Sequence, residues 1–163
     1  MPVMKHDDAP QALDELLEPG STLMVAVAGG GGQFEFRPLT VAKIEGGRLD
    51  ILLDTTEAWA KSIGDGDLAY VTVSDTKTNT WLSMTGTTST TTDKAAIDDL
   101  WNPFASAYFE QGRDTPGITV LRIEGTEGRY WSSPSGRIGS LVSLVKAKLG
   151  TPEQSGEHGA VKL

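Results

Sequence analysis

Residues Thr80–Thr92 read TWLSMTGTTSTTT and are rich in β-branched side chains, which are typical of β-strands. Gly86 lies inside this segment, where a glycine predicts a bulge or a close approach of a neighbouring backbone. The preceding segment Leu68–Ser74, LAYVTVS, alternates as a half-buried strand does. Because only DTKTN separates the two segments, we expect them to pair as an antiparallel hairpin.

Five more segments have the length and composition of strands: Thr22–Ala28, Phe34–Ile44, Arg48–Asp54, Ile118–Glu124 and Gly128–Ser133. Most of them are joined by short turns, which favour antiparallel pairing. The sequence has neither a regular β-α-β alternation nor a G-x-G-x-x-G motif, so a dinucleotide-binding fold is not expected. We therefore predict a mainly β (α+β) fold, a closed or partly closed antiparallel barrel of six or seven strands with peripheral helices.

Helices are predicted between and around these strands, at Asp7–Gly20, Thr55–Gly64, Asp93–Trp101 with a continuation to Phe109, and Gly136–Gly150. Asp93 and a threonine before Glu57 are the predicted caps, because their side-chain oxygens can accept hydrogen bonds from free N–H groups of the first turn. Residues 151–163 are polar and are expected to form a flexible tail. No linker or repeat divides the sequence, so residues 1–163 are predicted to form one domain that begins with a helix within residues 1–20.

The composition excludes several classes of function. The 163 residues include no cysteine, which excludes disulfides, thiolate metal ligands and a cysteine nucleophile. The formal net charge of −8 argues against a nucleic-acid partner, because binding to phosphate backbones relies on many Lys and Arg contacts. Neither a signal peptide nor a membrane-spanning apolar run is evident, so no membrane partner is expected and a cytoplasmic location is predicted.

Metal binding and nucleophilic catalysis also lack support in the sequence. His6 and His158 lie in polar tails and have no metal-ligand spacing. No G-x-S-x-G motif occurs, and we interpret Asp98–Asp99 as the solvated face of a helix. Gly29–Gly32 could cradle a phosphate, but no Lys-Ser/Thr follows, so a flexible hairpin tip is the preferred interpretation.

One group of residues could bind an anion beside a planar ring. Arg37 and Pro38 interrupt a strand, and proline in a sheet belongs at an edge or a bulge. Helix N–H groups, hydroxyls and an ammonium could bind an anion near Thr55, Thr56 and Lys61. Tryptophans offer flat surfaces for a ring, and the four are Trp59, Trp81, Trp101 and Trp131. These residues alone slightly favour another interpretation over a ligand site, in which the tryptophans pack in the core and Lys61 is an ordinary surface lysine.

An ordered series of motifs resembles a known family. The pieces are RPLTV, DTTEAWAKSI, WLSMTGTTSTTTDKAAIDDLWNPFASAYFEQGRDTPGITVLRI, GRYWSSPSGRI and GEHGAVKL. Their order and spacing resemble the FMN-binding split β-barrel proteins of the pyridoxamine 5′-phosphate oxidase-like superfamily, and most closely the bacterial general stress protein branch. The resemblance covers nearly the whole chain from Leu23, and LWNPFASAYFEQGRDTP is its most specific part. It implies an antiparallel split β-barrel.

The resemblance implies a homodimer with a flavin at the subunit interface, with FMN as the expected cofactor and FAD or another flavin as alternatives. The ribityl-phosphate side would be contacted by Asp54 and Thr55. Lys61 has the family's spacing of six residues from that threonine and would bind the phosphate. In matching or nearby positions, the ring would be lined by Arg37, Pro38, Leu39, Thr40, Trp81, Trp101 and Trp131.

The sequence also departs from the family pattern at two places. Trp59 and Ala60 stand where many relatives have a serine and often a second cation before the lysine. Each charge-assisted hydrogen bond contributes roughly 1.5–3 kcal/mol, so weaker phosphate binding is predicted. After Trp131 the sequence continues SSPSGRI, without the terminal tryptophan-arginine pattern of true pyridoxamine phosphate oxidases, so that vitamin B6 substrate is not expected.

Three functions stay open on the sequence. The first is a flavin-dependent oxidoreductase of unknown substrate, linked to the stress response. The second is a flavin-binding stress protein that sequesters or senses flavin without turnover. The third is a split-barrel dimer that has lost the flavin and binds another planar ligand.

Overall fold

The computed structural model of the protein describes residues 13–14, 16–28, 34–77, 79–132 and 157–162, and at residues 80, 132 and 157–162 it describes the backbone alone. Within these residues the strands are β1 (Thr22–Val27), β2 (Arg37–Thr40), β3 (Lys43–Glu45), β4 (Arg48–Asp54), β5 (Leu68–Asp75), β6 (Thr80–Thr91), β7 (Ile118–Ser132) and β8 (Glu157–Lys162). The helices there are α1 (Ala58–Lys61), α2 (Lys94–Leu100) and α3 (Pro103–Tyr108), followed by a 3-10 turn at Gly112–Asp114. Helical residues also precede β1, at Leu13, Asp14 and Leu16.

The strands form one antiparallel sheet in the order β2-β1-β5-β6-β7-β4-β3, and β8 pairs with β7 beside this path. The two strands at the ends of the path are consecutive in sequence, because only Val41 and Ala42 separate β2 from β3. The chain therefore passes directly from one end of the curled sheet to the other. The Val41 N–H donates to the Ser21 carbonyl oxygen beside β1 at 3.0 Å, and the Ala42 N–H donates to the Asp50 carbonyl oxygen of β4 at 2.8 Å. This curled, antiparallel, mainly β architecture with a few helices confirms the predicted fold class.

The predicted strand Phe34–Ile44 is divided in two, which corrects the sequence interpretation. Its first part, β2, pairs with β1 and places Pro38 opposite Met24, whereas its second part, β3, pairs with β4. Residues 34–36 precede β2 and lie outside the ladder. Among the described strands β2 pairs with β1 alone, so it occupies an edge position that a residue without an N–H can accept.

The last two predicted strands, Ile118–Glu124 and Gly128–Ser133, are one continuous strand, β7, of 15 residues. The expected break at residues 125–127 is wrong because β7 follows the long strand β6 along its whole length. The glycines in this segment therefore belong to an irregular strand and not to a turn.

A bulge interrupts the pairing of β6 with β7, as predicted at Gly86. The register shifts between Thr85 and Gly86, and Thr126 is the extra residue on β7. The two backbones also approach closely, because a Cβ at Gly86 would lie 2.6 Å from the carbonyl oxygen of Glu124. Gly86 therefore lies at a bulge and at a close approach of the neighbouring backbone, the two features that the sequence predicts there.

The main core lies on the inner face of the curled sheet. Leu13, Leu16 and Leu17 of the N-terminal helical segment are buried against it, as their shared helical face predicts. Full burial of one such side chain contributes roughly 1.5–3 kcal/mol. The largest fully buried side chains are Tyr130, Leu13, Leu23, Leu49, Ile51, Leu121, Ile123, Val25, Val41, Val71 and Val120.

A second apolar layer covers the outer face of β4 and β7. Successive strand residues point to opposite faces, so Leu52 belongs to this layer while Ile51 and Leu53 face the main core. Helices α2 and α3 supply the covering side chains. The buried members are Ile97, Leu100, Ala105, Phe109, Ile118 and Val120.

Helices α2 and α3 begin at side-chain caps. Asp93 Oδ2 accepts a hydrogen bond from the Ala96 N–H at 3.3 Å, which confirms the predicted cap of α2. Asn102 Oδ1 accepts from the Ala105 N–H at 2.9 Å and begins α3, whose first residue is the proline that ends the preceding helix. A cap of this kind contributes about 1 kcal/mol.

The predicted helix Thr55–Gly64 is wrong in its extent and its cap. α1 has four residues, and the residue at its N-cap position is Glu57, whose side chain makes no capping bond. Thr55 does not cap the helix because its hydroxyl donates to the Gly117 carbonyl oxygen at 2.8 Å. The residues between β4 and α1 therefore form a turn.

Several sequence predictions fall outside the described residues; they concern His6, Gly29–Gly32 and Gly136–Gly150. Part of the predicted tail has strand conformation, since β8 pairs with β7 and places Glu157 opposite Ser132. In the part of the chain that the structure describes, no helix combines the length and the apolar character needed to cross a bilayer.

Candidate functional site

A polar cleft of about 510 Å³ opens where β4 and β6 end and β7 begins. Threonine hydroxyls and one ammonium group supply its polar lining. The lining residues are Thr55, Ala60, Lys61, Ile63, Thr90, Thr91, Thr92 and Thr119. The structure thus brings Thr55 and Lys61 together, as expected for two residues predicted to bind an anion.

The turn between β4 and α1 is fixed by local hydrogen bonds. The N–H and the hydroxyl of Thr55 both donate to the Gly117 carbonyl oxygen, at 2.9 and 2.8 Å. Gly117 has a φ of +88°, a conformation that favours glycine. Asp54 Oδ1 accepts from the Thr56 N–H at 2.8 Å, so these two predicted site residues shape the turn and do not line the cleft.

Lys61 is the cation of this cleft. It ends α1 and is exposed, and it forms no ion pair with the carboxylates of the described residues. The three donors of its ammonium group are therefore available to a ligand as far as these residues are concerned. An ammonium beside hydroxyls can bind a phosphate through charge-assisted hydrogen bonds.

The loop after α1 is tied to β6 across the cleft. The N–H and hydroxyl of Thr90 donate to Asp65 Oδ1 at 2.8 and 3.3 Å. The Thr88 hydroxyl donates to the Gly64 carbonyl oxygen at 2.7 Å. These bonds attach the loop after α1 to the end of β6, whose threonines line the cleft.

Arg37 is engaged outside the cleft. Its Nη1 lies 2.6 Å from Glu57 Oε2, and its Nε donates to Glu35 Oε1 at 3.0 Å. Its guanidinium carbon lies 5.1 Å from the ring centroid of Trp59, which packs against the main core. Arg37 therefore connects β2 to the start of α1 and does not line the polar cleft.

The neighbours of Arg37 on β2 divide between the two faces of the strand. Leu39 packs against the main core. Pro38 and Thr40 line a second, largely apolar cavity of about 290 Å³ on the other side. Its other lining residues are Val41, Ala42, Leu52, Asn102, Phe104, Ala105, Ala107, Tyr108 and Phe109.

The remaining predicted site residues are three tryptophans that line neither cavity. Trp101 packs against the second apolar layer, with its ring centroid 5.9 Å from that of Phe109. Trp81 and Trp131 face each other across β6 and β7 and are 41% and 42% exposed. Their contact with a ligand stays a prediction.

Sequence reasoning missed much of the lining of both cavities. The sequence predicts a strand or strand end for Thr90–Thr92 and Thr119 and a helix for Phe104 and Tyr108, and it indicates no site at any of them. The run of threonines at the end of β6 was the available signal. Sequence composition predicts that these threonines form a strand. Their position at the cleft depends on how β6 pairs with β7, which the sequence pattern does not give.

The protein is thus a curled, antiparallel half-barrel with a polar cleft at the ends of its strands. The family model described as "Pyridoxamine 5'-phosphate oxidase like" matches residues 8–154. The chain therefore belongs to the pyridoxamine 5′-phosphate oxidase-like family, which confirms the resemblance seen in the sequence.

Solved structures share the fold over most of their length. A protein described as general stress protein 26 from Jannaschia sp. CCS1 has a TM-score of 0.68 and 22% sequence identity, and covers 96% of this chain and 97% of its own. The general stress FMN/FAD binding protein of Xanthomonas citri has a TM-score of 0.66 and 23% identity, covering 77% of this chain and 89% of its own.

Among curated proteins, Protein bli-3 of Neurospora crassa is 23% identical over 120 residues. This match covers 68% of the present chain and 57% of the Neurospora protein. The chain therefore spans little more than half the length of this relative.

Proposed function

We propose that the protein binds a flavin, FMN in the first place, and holds its phosphate in the polar cleft. The observation that carries this proposal is the placement of Lys61 among five threonines, with no ion pair to the described carboxylates. The hydroxyl protons of Thr55 and Thr90 are donated to Gly117 and Asp65, which leaves the hydroxyls of the other three threonines as donors. A single ammonium with three such hydroxyls suits one phosphate group. It suits the diphosphate of FAD less well, because the described residues of the lining include no second cation.

We place the flavin ring on the side of β2 that carries Pro38 and Thr40. The cavity there has apolar walls, which include the exposed rings of Phe104 and Tyr108. Cofactor pockets commonly combine such walls with a few polar groups, and Asn102 is one of those present. This assignment is supported by the resemblance of the β2 segment to the family strand that runs along the ring.

We also propose a homodimer with the flavin at the subunit interface. Large apolar side chains are exposed on four of the described strands, with Met24 at 38%, Leu68 at 39%, Trp81 at 41% and Trp131 at 42%. Exposed apolar surface of this kind often marks an interaction site. Sedimentation velocity should give twice the 17.3 kDa mass of one chain, and a monomer at micromolar concentration would contradict the dimer.

The reaction class that fits a bound flavin is an oxidation or reduction of a substrate still to be identified, in the cytoplasm and in connection with stress. The flavin would supply the redox chemistry when bound. The residues of this chain would bind and orient it, with Lys61 holding the phosphate and β2 supporting the ring. No general acid or base is assigned.

A second candidate function is flavin binding without turnover. The described linings of both cavities contain no histidine and no carboxylate. These linings therefore offer no side chain of the types that most often transfer protons near neutral pH. This composition favours a protein that sequesters or senses flavin.

The deciding experiment is the visible absorption spectrum of the purified protein, followed by titration with FMN, FAD and riboflavin. We expect a flavin spectrum or saturable FMN binding. Absence of binding at high FMN would reject both functions and leave another planar ligand as the explanation. Reduction of the bound flavin by NADH or NADPH with repeated turnover would select the enzyme, and a bound flavin that never turns over would select the carrier.

A further inference from the structure

We propose that Arg37 and Glu57 form a clamp that positions Lys61, and that Arg37 is a positioning residue that does not itself contact the phosphate. This inference rests on the proposed function, since Lys61 is the group assigned to the phosphate. The clamp is the ion pair of Arg37 and Glu57, and the Trp59 ring packs against its guanidinium. It joins the edge strand β2 to the short helix that carries Lys61.

The N–H groups of the Arg37 guanidinium bind two carboxylates of the protein. The shortest contact joins Nη1 to Glu57 Oε2 at 2.6 Å, and the guanidinium also lies over the Trp59 ring at 5.1 Å. Nη2 and Nε both lie 3.0 Å from Glu35 Oε1. Two carboxylates thus face one guanidinium, so Arg37 adds little net positive charge for an approaching phosphate.

The clamp acts on Lys61 through the backbone of α1. Glu57 immediately precedes α1, and its carbonyl oxygen accepts the hydrogen bond of the Lys61 N–H at 3.0 Å. The same residue therefore holds β2 with its side chain and Lys61 with its backbone. A helix of four residues has few hydrogen bonds of its own, so its placement depends on such tertiary contacts.

The test uses Glu57→Gln and Arg37→Gln, with FMN and riboflavin as the two ligands. If the clamp positions Lys61, both variants weaken FMN by about threefold to fivefold and leave riboflavin unchanged, since a pair this exposed contributes little more than that. If Arg37 binds the phosphate directly, Glu57→Gln instead tightens FMN, because it releases the guanidinium. Tighter FMN binding by Glu57→Gln would therefore overturn the proposal.

Two controls distinguish the positioning of Lys61 from the loss of a negative charge beside Arg37. Glu35→Gln removes the same charge beside Arg37 but leaves the bond to Glu57, so its FMN-to-riboflavin affinity ratio should equal that of the parent protein. In a Lys61→Ala background, Glu57→Gln should have no further effect on that ratio. An undiminished effect of Glu57→Gln without Lys61 would reject the role assigned to the clamp.

Hydrogen exchange on the flavin-free protein tests the clamp independently of any flavin. The Lys61 and Ser62 amides, which donate to Glu57 and Ala58, should exchange up to about fivefold faster in Glu57→Gln and Arg37→Gln, and at the parent rate in Glu35→Gln. Unchanged exchange in both clamp variants would overturn the clamp. Faster exchange in a protein that binds no FMN would support the clamp while rejecting the proposed function.

Discussion

A Cβ at Gly86 would lie 2.6 Å from the carbonyl oxygen of Glu124 on the neighbouring strand. It would also lie 2.9 Å from Cγ2 of Ile123, a fully buried core side chain. Neither atom belongs to a flexible side-chain end, so the contact cannot be relieved cheaply. At this place β7 carries one extra residue, Thr126, and β6 carries a residue without a side chain, Gly86. Both features are needed for the two backbones to pair this closely.

Gly86→Ala should lower the free energy of unfolding by about 1–3 kcal/mol, because overpacking against a backbone forces β6 and β7 apart. Urea denaturation measures the loss. Gly64→Ala is the matched control, since a Cβ there would meet Asp67 Oδ2 at an ordinary 3.5 Å. Equal stability of the two variants would refute the close approach.

The buried carboxylate of Asp50 gives a second prediction. It is 2% exposed and lies 3.3 Å from Arg48 Nε and 3.5 Å from Arg122 Nε. Asp50→Asn should cost about 1–3 kcal/mol of stability, less than for a fully buried pair because both arginines are partly exposed. Asp99→Asn, which removes an exposed partner of Lys43, should cost at most about 1 kcal/mol. Similar losses in thermal unfolding would contradict this ranking.

Tyr130 predicts how stability changes in alkaline solution. Burial raises the pKa of its phenol above the ordinary value of 10.0. Above pH 10 the unfolded chain therefore loses this proton while the folded chain keeps it, and the stability contributed by Tyr130 falls as pH rises toward the folded pKa. Tyr130→Phe should show a shallower loss of stability above pH 10. The exposed Tyr108→Phe should follow the parent slope, and identical slopes for all three proteins would reject the effect.

Lys61→Ala should weaken FMN by roughly tenfold to a hundredfold, because one charge-assisted hydrogen bond to phosphate is lost. Riboflavin, which has no phosphate, should bind as before. Lys77→Ala is the control, since Lys77 is exposed in the turn after β5 and lines no described cavity. Equal losses for FMN and riboflavin in fluorescence titrations would contradict the phosphate assignment of Lys61.

The sequence predicts the sheet well because its strands are local patterns of β-branched and alternating residues. It does not predict the division at Val41–Ala42, where neither glycine nor proline marks a break. That division is a consequence of barrel closure, which transfers the chain from β1 to β4. The same applies to β7, where GTEG has the composition of a turn but stays in the ladder because β6 is long enough to pair beyond it.

The candidate site is harder to predict because its contacts are made between distant segments. Thr55 and Lys61 could be proposed because they are close in sequence. Glu57, which lies 20 positions from Arg37, could not be recognised as its partner. The family resemblance predicts that Arg37 contacts the flavin, whereas the structure shows its guanidinium bonded to Glu35 and Glu57.

Pro38 has a consequence for the protein at high concentration. β2 has four residues and, within the part of the chain that the structure describes, pairs with β1 alone, so its other side could accept a strand from another molecule. An incoming strand would meet a residue with no N–H to offer, and short strands that carry proline are poor templates for such addition. The residue that first looks like an interruption of the strand therefore also protects the barrel against edge-to-edge aggregation.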